Sequence, residues 1–106
     1  MIYIARFIDI VKKPKDKTPI SIAKDVPPWY DGVLYPDLAP EGNKKSSYIL
    51  QLNKLNVIDV VNRLLYLGKN RDPILVCDTV WQCEVIEQWL TDNGFDIEHY
   101  NKEKKE

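Results

Sequence analysis

The stretch from Asp72 to Tyr100 constrains the fold more than any other part of the chain, because it reads as three elements in one order. Asp72-Pro73-Ile74-Leu75-Val76-Cys77-Asp78 is a short, continuous apolar run bounded by a proline and an aspartate, the pattern of a central strand buried on both faces. From Cys83 to Asn93 the residues Val85, Ile86, Trp89 and Leu90 fall on one helical stripe, with Glu84, Glu87, Gln88 and Asp92 turned outward. Gly94 sits where a left-handed residue would end that helix. Phe95 to Tyr100 then alternates apolar and polar residues, as a half-buried edge strand does. The three make a Rossmann-like βαβ unit with parallel strands and a right-handed crossover. Ligands of such sheets sit beyond the carboxyl ends of the strands, against the first turn of the following helix. That places a candidate site at Cys77, Asp78, Thr79, Val80, Trp81, Gln82 and Cys83.

The other segments fill out an α/β fold with a small, mostly parallel sheet of about four strands and helices packed on it. Residues 2–10 alternate, with Ile2, Ile4, Ile8 and Ile10 on one face and Tyr3, Ala5 and Phe7 on the other, and predict a first strand in the interior. Arg6 interrupts the isoleucine face. It either snorkels to the sheet edge or pairs with an acid, or it is a cation that faces a ligand. Lys12, Lys13, Lys15 and Lys17 lie in an exposed loop, read as a solvated turn against a polyanion patch. Ile20-Ser21-Ile22-Ala23 is a short second strand. Helices are predicted over 46–55, with Ile49, Leu52 and Leu55 as its face, and over 57–67, capped by Asn56, with Ile58, Val61, Leu64 and Leu65 buried and Gly68 at its end. Residues 73–78 are expected beside 2–10 at the centre, with 95–100 next to the former and 19–23 next to the latter. One domain over 1–100 is expected, followed by a polar tail over 101–106 that frays.

Between the second strand and the helices, residues 25–43 hold four prolines and two glycines, which rules out a regular helix or central strand. A loop of that length in a small domain is more often functional than filler. Trp29, Tyr30, Asp31 and Tyr35 are therefore candidate binding residues, although Trp29 and Tyr30 serve equally as the loop's own anchor.

Composition narrows the function classes. A net charge of −1 argues against bulk nucleic-acid binding, which draws its affinity from clustered cations. No apolar run approaches the ~18 residues of a membrane span, and the amino terminus lacks a secretory pattern, so a cytoplasmic location is expected. A single histidine excludes a zinc site with two cysteines and two histidines within one chain; no metal and no cofactor are expected. Two cysteines without a signal make no disulfide framework, while their spacing leaves a Cys77–Cys83 bridge open. Cys83 near a helix start is a candidate nucleophile or redox thiol, and Cys77 a weaker one, each against plain core packing. Asp78 is a candidate acceptor for a hydroxyl or ribose, or an ordinary loop residue. His99 lies on the polar phase of the last strand. There is no glycine-rich phosphate loop.

Several segments, in order, resemble the family named domain of unknown function 488, found in bacteria and phages. They are Ile20-Ser21-Ile22-Ala23, Pro28-Trp29-Tyr30-Asp31-Gly32, Tyr35, Leu38-Ala39-Pro40, Leu52-Asn53-Lys54-Leu55, Ile74-Leu75-Val76-Cys77 and Glu87-Gln88-Trp89-Leu90. Members usually open the last helix with Cys-His-Arg. Here the triplet falls on Trp81-Gln82-Cys83 or on Cys83-Glu84-Val85, without the basic pair. The resemblance implies a phage- or prophage-type accessory protein, in the host cytoplasm if phage-encoded, that has lost the reactive triplet. It is expected to be non-enzymatic and to bind a protein partner, such as a host defence or regulatory protein, through the 29–40 loop and the 78–82 loop. The alternative is an enzyme or sensor for a nucleotide or other small phosphate compound, using Cys83 or Asp78 with Arg6. Oligomeric state cannot be read from the sequence.

Overall fold

The computed structural model describes residues 1–100; the tail expected over 101–106 lies outside the described residues. Five parallel strands form one sheet: β1 (Ile2–Arg6), β2 (Lys17–Ser21), β3 (Val33–Leu34), β4 (Asp72–Cys77) and β5 (Ile97–His99), in the order β3-β2-β4-β1-β5. Three helices accompany them, α1 (Lys45–Asn53), α2 (Val57–Gly68) and α3 (Val80–Asp92). The expected α/β class holds, with five strands in place of four. β4 is the middle strand and β5 an edge, as their apolar patterns require.

Two neighbour relations differ from expectation. β5 pairs with β1 and not with β4, and β2 pairs with β4 and not with β1. The β1–β2, β3–β4 and β4–β5 connections therefore each step over one strand, while β2 and β3 are direct neighbours. β1 and β4 are apolar on both phases and so take interior positions together, which leaves one outer flank on each for β2 and β5. The first strand is also shorter than the 2–10 alternation predicts. The Asp9 carboxylate accepts the Arg6 backbone N–H at 3.1 Å, which turns the chain into a single 3-10 turn over Phe7–Ile10 and leaves Ile8 76% exposed. The second strand starts earlier than expected, at Lys17, and ends at Ser21.

The two faces of the sheet are covered differently. Ile4, Ile20, Leu75 and Cys77 pack under Leu52, Val60, Leu64, Ile86 and Leu90, so all three helices share one face. On the other face Ala5, Ile74 and Val76 are covered by Ile10, Phe7 and Tyr30 from connecting segments and by Tyr100, which follows β5. Connections after β1 and β2 thus cross one face and those after β3 and β4 the other, as right-handed crossovers running in opposite directions must.

In α2 the buried stripe is Val60, Val61, Leu64 and Gly68, while the expected Ile58 and Leu65 are exposed. The Thr18 hydroxyl donates to the Gly68 carbonyl at 2.9 Å, and a Cβ at Gly68 would already lie 3.9 Å from Pro73. The glycine end is docked on the sheet, which rotates the stripe. Asn56 caps α2 through the Asp59 N–H, as predicted. In α1, Tyr48 and Leu52 face inward and Ile49 outward.

Candidate functional site: the pocket at the carboxyl end of the first strand

The residues expected to gather after β4 divide into those that build the fold and those that border a cavity. Thr79 is the N-cap of α3: its hydroxyl accepts the Gln82 N–H at 3.2 Å. The helix therefore begins at Val80, and residues 80–82 are its first turn and not a loop. Cys83, expected near the helix start, is one turn inside it and donates its N–H to the Thr79 carbonyl at 3.2 Å. Its own N–H is thus taken up within the helix. The Asp78-Thr79 pair before an apolar stripe is a cap signal that dates the start of α3 correctly.

Gln82 is buried and fills the crevice between the carboxyl ends of β2 and β4, where connections leave to opposite faces and ligands are usual in such sheets. Its Nε2 donates to the Ile22 carbonyl at 2.7 Å and to the Tyr48 hydroxyl at 3.2 Å, and its Oε1 accepts the Asp78 N–H at 3.4 Å. The Tyr48 hydroxyl in turn donates to the Leu38 carbonyl at 2.6 Å, and burial raises its pKa above the ordinary tyrosine value. Trp81, half-buried, packs edge-on against Tyr48 at 5.8 Å between centroids. The usual ligand position is thus closed by the protein's own polar network. Asp78 is exposed beside it.

The aromatic loop is likewise mostly internal structure. Tyr35 is buried, and its N–H donates to the Ser21 carbonyl at 2.9 Å. Burial also raises the Tyr35 pKa. Residues 33–34 form β3 and 36–38 a 3-10 turn, held by Tyr48 and by Gln51, whose Nε2 donates to the Ala39 carbonyl at 2.8 Å. The Tyr30 hydroxyl donates to the Val33 carbonyl at 2.7 Å, with the Pro19 carbonyl at 3.2 Å as a second acceptor. Burial pushes its pKa up to about 12. Trp29 stands edge-on to Phe7 and Tyr30 at 6.3 and 6.4 Å and is 47% exposed. Asp31 is exposed and pairs with Lys13 at 3.3 Å. The Tyr30 hydroxyl is thus engaged internally, and Trp29 alone of the aromatic pair keeps a large exposed surface.

The remaining sequence candidates converge elsewhere. A pocket of about 290 Å³ lies between the carboxyl end of β1, the first half of α3 and the end of β5, bordered by Arg6, Asp9, Cys83, Glu87, His99 and Tyr100, with Ile4, Ala5, Val80 and Glu84 completing it. Arg6 is exposed, on the helix-side face of β1, and its register partner is Cys77 on β4. Its charge acts on both thiols. The Cys83 sulfur lies 3.9 Å from the Ala5 carbonyl oxygen. Both cysteines are free and buried and belong to one core cluster. The neighbouring Cys77 thiol lowers the Cys83 pKa below the ordinary thiol value against the opposing effect of burial, with Arg6 adding to the lowering and Asp9 and Glu87 opposing it. Cys77 is raised, by burial first and by the Cys83 thiol second. Of the two, the outer thiol is the more readily ionised.

His99, read as an unremarkable surface residue, and Glu87, read only as outward-facing, are brought to the same pocket, with His99 Nε2 2.9 Å from Glu87 Oε1. No sequence signal joins them: Glu87 is one turn after Cys83 on α3, and only the pairing of β5 with β1 delivers His99. Among the described residues no cluster of side chains could hold a metal ion, and no helix is long and apolar enough to cross a membrane. No family model, no curated protein and no solved structure matches this chain.

Proposed function

We propose that this chain carries out thiol chemistry in the pocket at the end of β1, as an enzyme or sensor for a small electrophilic compound. Cys83 is the reacting sulfur and Arg6 the cation that favours its thiolate. The observation that carries the reading is the convergence of three groups from three elements: Cys83 and Arg6 both line the cavity, and the buried Cys77 is the register partner of Arg6 on the adjacent strand. Of the ligand classes, a phosphate compound is served less well than a neutral electrophile, because Asp9, Glu84 and Glu87 line the same pocket and would repel a multiply charged anion. Asp78 does not border this pocket.

Iodoacetamide labelling of the folded protein, followed by intact mass and peptide mapping, tests the reading. One label is expected, on Cys83, with a rate that rises with pH through a midpoint below that of a free cysteine. Arg6→Ala is expected to move that midpoint upward and to slow labelling at neutral pH, since a lost cation costs the thiolate and not the thiol. Two sulfurs that react only after denaturation would end the proposal.

A second reading, a partner-binding accessory protein of phage or prophage type, is favoured by Trp29. A large aromatic held edge-on by two other rings, yet 47% exposed, has the preorganised form of an interface anchor. Trp29→Ala is expected to keep the folded circular-dichroism spectrum and to abolish a stoichiometric protein complex seen by native mass spectrometry. A complex that persists unchanged removes Trp29 from the interface.

A further inference from the structure

The inner thiol does not line the pocket, yet it shares a core cluster with the thiol that does. Arg6 and Cys77 are register partners on adjacent strands, and the Cys83 sulfur reaches to 3.9 Å from the carbonyl oxygen of Ala5, the residue before Arg6. Cys77 is fully buried, whereas Cys83 borders the cavity. Two sulfurs arranged in this way divide a reaction between them: one meets a solvent-borne oxidant, and the other meets only the product formed on the first.

We propose that Cys83 and Cys77 form a two-cysteine redox centre that reduces a hydroperoxide and closes to an internal disulfide. The inference rests on the pocket-thiol reading above and names its substrate class. In the first step the Cys83 thiolate attacks one peroxide oxygen; an S–O bond forms, the O–O bond breaks, and the leaving alkoxide takes a proton from water and departs as an alcohol. In the second, the Cys77 sulfur attacks the Cys83 sulfur. The S–S bond forms, the S–O bond breaks, and hydroxide leaves with the Cys77 proton as water. The two thiols have together given two electrons to the peroxide. An external dithiol restores both by thiol–disulfide exchange.

The pocket fits a small peroxide. It has room for a few heavy atoms beside Cys83, it is walled by Ile4, Ala5 and Val80 as well as by charged groups, and Arg6 is placed to stabilise the developing alkoxide. His99, on β5, borders the same cavity and is held by Glu87 of α3 at 2.9 Å.

The test uses the full reduced chain with hydrogen peroxide as the probe, quenched with iodoacetamide and read by intact mass. The folded wild type is expected to lose two hydrogens, to take up no label, and to give a Cys77–Cys83 linked peptide. Cys77→Ala is expected to stop at a sulfenic acid on Cys83 that dimedone traps, and Cys83→Ser to lose the reaction altogether. Accumulation of sulfinic acid on wild-type Cys83 without a disulfide overturns the redox pair while leaving a reactive pocket thiol in place. Absence of both peroxide oxidation and native labelling overturns the pair and the thiol reading together. Because Cys77 lies in the core, the linked peptide from the unsubstituted protein decides the matter if Cys77→Ala does not fold.

Discussion

Replacing Gln82 with leucine is expected to lower the unfolding free energy by about 3 kcal/mol, measured by urea denaturation with an unchanged slope. Leucine fills nearly the same volume, so the loss is one of polar satisfaction. The Ile22 carbonyl loses its 2.7 Å donor in the interior, and the Asp78 N–H loses its acceptor. Each buried group left unpaired costs about 1–3 kcal/mol, more than the added apolar contact returns. The Tyr48 hydroxyl keeps the Leu38 carbonyl as its acceptor, which limits the damage on that side. Among the described residues no buried side-chain polar atom lacks a partner, so the substitution breaks an otherwise complete network. Since Gln82 precedes Cys83 on the same helix, labelling of Cys83 in this variant reports whether the loosened turn also moves the thiol.

Gly32→Ala is the second substitution with a large expected cost, about 2 kcal/mol. Gly32 is not in the left-handed region, so alanine carries no backbone penalty there. The cost is steric: a Cβ at this position would lie 2.5 Å from the Tyr30 hydroxyl oxygen and 2.7 Å from its ring carbon. Tyr30 must swing away, which gives up its bond to the Val33 carbonyl and its edge-on contact with Phe7 at 5.4 Å. A hydrogen bond contributes about 1 kcal/mol net, and the displaced ring exposes apolar sheet below it. Thermal unfolding of a double-mutant cycle separates the causes. In a Tyr30→Ala background the same Gly32→Ala change is expected to be nearly neutral, because residues in contact couple and distant ones add. An unchanged cost in that background would place the damage in the turn itself.

What could be read from the sequence follows from where its patterns are local. The apolar run at 73–77, the stripe through Val85, Ile86, Trp89 and Leu90, and Gly94 at φ +92° all lie within one element and its cap, and the structure has each of them. Strand order was not legible. It depends on which flank of β1 and β4 each edge strand takes, and both strands are apolar on both phases, so no residue pattern separates the choices. The same limit governs the site. Arg6 and Cys83 were identifiable singly, from a charge on an isoleucine face and a thiol near a helix start, but their meeting depends on α3 crossing over β1. Gln82 reads from the sequence as a binding residue of the 78–82 loop; its burial follows from Thr79 starting the helix a turn earlier, which points the Gln82 side chain into the crevice between β2 and β4. Ile8 misled in the opposite sense, because a strand's alternation and a turn beginning at Arg6 cannot be told apart until the Asp9 carboxylate is seen to take the Arg6 N–H.

The face without helices sets a condition on the size of its residues. A doubly wound sheet ordinarily needs a helical layer on each side, and this chain covers Ala5, Ile74 and Val76 with side chains from connecting segments. An aromatic ring buries about 150–250 Å², so Phe7 and Tyr30 together supply roughly the area that a short helix would. Such a cover is one side chain thick. Truncating a residue inside a helical layer leaves a sealed void, whereas truncating Phe7 or Tyr30 opens the sheet directly to water. On this side the fold has roofing tiles in place of a second storey, and the chain stays short only as long as those tiles stay large.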